Sequence, residues 1–215
     1  MRKEPVVFSL KESLRSLNIE LLKFGTPLLQ IAERFGPPKG WITDAHDDQP
    51  VPLYWIYPGG LELCFEPEPP YLLEWYKLSP VGAHKGRMTN FSYYARMRND
   101  FPMIGTSVSG FLRSGLWDLE KVKVGICAEP LYPVLDICIG CLRIPFLMDN
   151  ENQETLEDQI SDCGNDLRRR IALLDTACDF FGAYFLTDEL DSQRFPSGGW
   201  TTISGEEYLR QLDCG

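Results

Sequence analysis

Leucines at positions 10, 14, 17 and 21 recur three or four residues apart, so the chain opens on the stripe of an amphipathic helix. Ser9 stands before that stripe with Glu12 three positions on, the spacing of a capping box. A second helix is predicted after Thr26 and Pro27, with Leu28, Ile31 and Ala32 on one face and Gly36-Pro37-Pro38 as its stop. The period then changes to two. Strand-like runs cover 51–57, 61–65 and 71–78, the first pair joined by Pro58-Gly59-Gly60, and the last, with Leu72, Leu73, Trp75 and Tyr76, is equally compatible with a short helix. In the middle strand Leu61, Leu63 and Phe65 point one way and Glu62, Cys64 and Glu66 the other, the pattern of a half-buried strand.

Residues 79–90 are small, polar and glycine-containing, and mark a candidate boundary. Beyond it, 107–112, 122–127 and 135–147 read as strands. The strongest helical period lies within 153–185, where Leu156, Ile160, Cys163, Leu167, Ile171, Leu174, Cys178 and Phe181 fall on one stripe. Leu173, Ala177 and Phe180 widen that stripe, and Gly164 is the point at which such a helix would kink or split. Ser204 with Glu207 three residues on predicts a short last helix. The expected fold class is α+β. It consists of N-terminal helices with a β-meander over 1–80, then a second sheet packed by a long amphipathic helix over 88–215, with one shared core or two.

Charge adds a direction to this picture. The chain of 215 residues carries a formal net charge of −10 and a pI near 4.7. Such a balance argues against nucleic acid or an anionic membrane as the main partner, because tracking phosphates needs clustered Lys and Arg. It suits a basic protein instead. The excess is local: residues 149–191 hold 12 acidic side chains against Arg168, Arg169 and Arg170. Glu154, Glu157, Asp158, Asp162 and Asp166 all avoid the apolar stripe, and with Asp149 and Glu151 just before the helix they are the first candidates for a partner-binding surface. Asp44, Asp47 and Asp48, in a polar loop, are the second. The alternative for such runs is a solvated helix face with carboxylates favourably placed near a helix N-terminus.

Signatures of catalysis are sparse. Cys138 and Cys141 form a CxxC, a spacing that chelates zinc or cycles through a disulfide, yet zinc needs four ligands and no second such pair follows. The seven cysteines are odd in number and mostly apolar in context, which predicts reduced, buried thiols. His46 and His84 belong to no ligand pair, and neither a G-x-S-x-G elbow nor a phosphate loop occurs. No catalytic residue, metal or cofactor is therefore predicted. The start has no signal-type apolar run and no stretch is long enough to span a membrane, so a cytoplasmic protein without membrane contact is expected.

Residues 31–65, "IAERFGPPKGW" followed by "LYWIYPGGLELCFEP", carry Phe35, Gly36, Pro38, Tyr57, Gly60, Leu61, Glu62 and Phe65 in the order helix stop, then strand pair. In this they resemble small bacterial proteins held to be immunity proteins of polymorphic toxin, contact-dependent or type VI secretion systems, with Pro58 and Gly59 inserted and Cys64 at an ordinarily polar place. The resemblance implies a non-enzymatic cytoplasmic protein that neutralises a cognate toxin by covering its active surface. Basic toxins would suit the charge. The competing expectations are an enzyme with a carboxylate or Cys138/Cys141 thiol site, and an adaptor subunit.

Overall fold

The computed structural model describes residues 4–42, 51–79, 86–127, 135–148, 153–187 and 199–214. Asp44, Asp47, Asp48, Asp149 and Glu151 lie outside the described residues, and the side chain of Glu154 does too. Along the chain run β1 (Val6–Ser9), α1 (Leu10–Ser16), α2 (Leu28–Phe35), β2 (Gly40–Ile42), β3 (Tyr54–Tyr57), β4 (Leu61–Phe65), β5 (Leu73–Leu78), β6 (Met88–Asn90) and β7 (Ala95–Arg98). There follow α3 (Val108–Leu112), β8 (Lys123–Cys127), β9 (Leu135–Ile139), β10 (Leu142–Met148), α4 (Gln153–Asp162), α5 (Leu167–Ala177), β11 (Cys178–Phe180), β12 (Ala183–Phe185), β13 (Trp200–Ser204) and α6 (Gly205–Asp213). The fold class is α+β with mostly antiparallel pairing.

Two compact units divide the chain. The first is Met1–Met103 with Ala183–Asp188, and the second is Ile104–Gly182 with Glu189–Gly215. The break thus follows β7 instead of falling within 79–90, and β6 and β7 go with the N-terminal unit.

In the first unit, β12, β5, β4, β3 and β2 pair antiparallel in that order. The alternation predicted for β4 holds: Leu61, Leu63 and Phe65 are buried and Glu62 and Cys64 half-buried. Gly59 and Gly60 turn the chain with φ of 75° and 83°, and a Cβ on Gly59 would meet Thr89 Cγ2 at 2.3 Å. The helix stop and the hairpin pack together. Phe35 and Tyr57 meet edge to face at 5.8 Å, and the Tyr57 hydroxyl donates to the carbonyl of Gly36 at 2.8 Å. Most of the residues that carry the resemblance are therefore packing residues. A second, three-stranded sheet has the order β1-β7-β6, with β1 parallel to β7.

In the second unit, β13, β8, β9, β10 and β11 form an antiparallel sheet. One face carries Val124, Ile126, Leu135, Ile137, Ile144 and Phe146, all fully buried. Phe111 of α3 stacks on Phe180 at 5.6 Å and meets Phe146 edge to face at 5.8 Å. Tyr208 of α6 and Ile171 and Leu174 of α5 are fully buried as well.

Three expectations are corrected. The single long helix is two: Gly164 takes φ +54° between α4 and α5, and Asp166 caps α5 by accepting from Arg169 N at 3.0 Å. Its last turn is strand β11, where Cys178 and Phe180 are buried and Asp179 exposed by a period of two. The segment at 107–112 is helix α3, capped by Ser107 accepting from Gly110 N, and not a strand. Five residues are too few for an apolar run to reveal its period.

Candidate functional site, an acidic cleft between two helices

α4 turns Leu156 and Ile160 inward, and the tight turn at Gly164 folds α5 back beside it. Between them opens a cleft of ≈ 490 Å³, lined by Thr155, Leu156, Gln159, Leu173, Thr176, Ala177 and Asp179. Its lining combines apolar Leu156, Leu173 and Ala177 with polar Thr155, Gln159 and Thr176 and the acidic Asp179. At 100° per residue, Asp158 and Asp162 lie on the flank of α4 next to Thr155. Both are exposed, as is Asp179, and among the described residues none of the three makes an ion pair. Like charges one turn apart destabilise a helix by a few tenths of a kcal/mol, so Asp158 and Asp162 do not stand there for local stability.

The other acidic candidates divide. Glu157 is half-buried and already engaged, and Asp166 caps α5. The structure therefore leaves Asp158 and Asp162 exposed on one flank of α4 and places Asp179 in the lining of the cleft. Asp179 was missed in the sequence because its surroundings carry a helical period, while the structure makes it a strand residue.

The remaining polar clusters look inward. Glu62 accepts from the Tyr54 hydroxyl, from Ser79 Oγ at 3.1 Å and from Lys77 Nζ at 3.4 Å, and that ammonium sits 5.2 Å from the centre of the Tyr184 ring. Burial, together with the neighbouring carboxylate, pushes the Tyr54 phenol up. Asp175 accepts from Ser109 N at 2.7 Å, Ser109 Oγ at 2.6 Å and Tyr208 Oη at 3.0 Å. These contacts tie α3, α5 and α6 together. Asp175→Ala takes the acceptor from the buried Tyr208 hydroxyl and the Ser109 amide, while Ser109 Oγ keeps Ser107 Oγ at 3.0 Å, so urea unfolding is expected to show a loss of about 2–3 kcal/mol. In a Tyr208→Phe background the loss shrinks; an equal loss there would sink the network.

Comparison with protein-family models, curated proteins and solved structures found no match. The chemistry must be read from the residues themselves.

Cys138 is buried in β9 and Cys141 half-buried in the turn before β10, which puts the CxxC at a hairpin and not at the start of a helix. Among the described residues no three His, Cys, Asp or Glu side chains gather as metal ligands. Burial first, then the charge of Glu74, pushes the Cys64 thiol up to about 11, which keeps it protonated and poorly nucleophilic near neutral pH. No helix among the described residues is long and apolar enough to cross a membrane.

Proposed function

We propose that the protein is a non-enzymatic binding protein whose acidic cleft takes basic side chains of a protein partner, in the manner of an immunity protein that covers the active surface of a cognate toxin. The observation that carries this reading is the cleft itself. Leu156, Leu173 and Ala177 in its lining suit the methylene stem of Lys or Arg, Asp179 supplies a carboxylate there, and Asp158 and Asp162 stand exposed on the flank of α4 beside it. A surface of this sign accelerates encounter with a basic partner and makes the complex sensitive to salt.

Charge reversal tests it. Asp158→Lys combined with Asp162→Lys and Asp179→Lys should weaken the complex with a basic partner protein by about tenfold or more. The loss should be smaller at high salt, and the urea midpoint of the free protein should stay where it was. An affinity that ignores both the substitutions and the salt would move the interface elsewhere on the chain.

A further inference from the structure

The small sheet of the first unit has an outer face of opposite character. Phe8, Ala95, Met97 and Thr89 are buried on its inner side. The registers Val7↔Arg96, Ser9↔Arg98, Met88↔Arg98 and Asn90↔Arg96 place Val7, Ser9, Arg96, Arg98, Met88 and Asn90 together on the other. Arg96 and Arg98 thus stand on the central strand about 7 Å apart, with no carboxylate opposite either of them. Both are exposed, and among the described residues neither makes an ion pair. The nearest acid in sequence, Asp100, is held by Ser9 Oγ at 2.7 Å and by Lys11 N at 2.8 Å.

A sheet arranged only for its own stability would set opposite charges across strands, since such pairs contribute and unbalanced ones do not. Apolar surface continues the face: Val7 is 45% and Met88 44% exposed, and Tyr93 at the turn of the hairpin is 59% exposed. Arg, Met and Tyr are the side chains enriched at protein interfaces, and exposed Val and Met between guanidinium groups do not serve a phosphate backbone.

We propose that this face docks an acidic polypeptide segment of a partner, one that alternates carboxylates with apolar side chains so that the first meet Arg96 and Arg98 and the second meet Val7 and Met88. The face belongs to the first unit and the acidic cleft to the second.

The test uses the full chain and a fluorescein-labelled peptide of alternating Glu and Val, read by anisotropy at about 0.15 M salt, beside a labelled single-stranded thymidine oligonucleotide. Arg96→Glu with Arg98→Glu should weaken peptide binding about tenfold or more. Arg96→Gln with Arg98→Gln should weaken it less, and carries the test if the reversed variant fails to fold. Absence of saturable peptide binding, or an affinity unchanged by either arginine pair, would overturn the proposal. Preferential, arginine-dependent binding of the oligonucleotide would overturn it too, in favour of a nucleic-acid face.

Discussion

Raising the pH from about 9 to about 11 is expected to remove on the order of 5 kcal/mol of stability, as much as a marginal domain possesses. Three groups dominate. The Cys178 thiol is 5% exposed, and burial, then the charges of Asp179 and Asp175, push it up from 9.0 to about 12. The Tyr57 phenol is 2% exposed and burial pushes it well above 10.0. Tyr208 is fully buried, and burial followed by the Asp175 carboxylate pushes it further in the same direction. Each keeps its proton in the folded chain after the unfolded chain has lost it. Stability from such a group is complete below the unfolded value and falls as pH rises, by about 1.4 kcal/mol per pH unit for each group. The thiol begins to act near 9 and the phenols near 10. Urea midpoints measured stepwise in reductant would show the decline, and Cys178→Ala should make it shallower between about 9 and 10, where the Cys64 thiol, also pushed up, remains. A flat profile over that range would mean that these groups are solvated and the packing around them is wrong.

The reading of the fold from sequence succeeded where local physics decides. Ser9 caps α1 by accepting from Glu12 N at 3.0 Å, and Ser204 caps α6 by accepting from Glu207 N at 3.1 Å. Leu61, Leu63 and Phe65 are buried as their alternation predicts. It failed where distant segments decide. α1 ends at Leu17, in the left-handed region at φ 59°, so the leucine stripe outruns the helix. β1 becomes a strand only because β7 lies beside it, and nothing within Val6–Ser9 names a partner as remote as Ala95. The acidic run was legible as composition, but the cleft was not. Its walls meet through the turn at Gly164, and Asp179 joins them through strand pairing with Leu147. Arg96 and Arg98 looked like ordinary surface charges until the register put them on one face.

Arg143→Met is expected to destabilise the second unit by about 3–5 kcal/mol in urea unfolding near neutral pH. On the sheet face opposite Ile144 and Phe146, the fully buried Asp136 receives a hydrogen bond from Arg143 Nε at 2.6 Å, and the Arg143 side chain is 28% exposed. Its neighbours across the strands are Gly125 and Pro145, which bring no charge to meet it. Removing the guanidinium takes away the charged donor that Arg143 Nε brings to this fully buried carboxylate, and such a loss costs more than the pair contributes when whole. The asymmetry separates this account from simple loss of contact. Asp136→Asn should cost less than Arg143→Met, because the stranded partner is then a partly exposed guanidinium that water reaches. Asp136→Leu with Arg143→Met should recover most of the stability, since an apolar pair of similar volume has no charge to desolvate. If the double variant is instead as unstable as the sum of the single ones, Asp136 and Arg143 act independently and the pair is not what holds this face of the sheet.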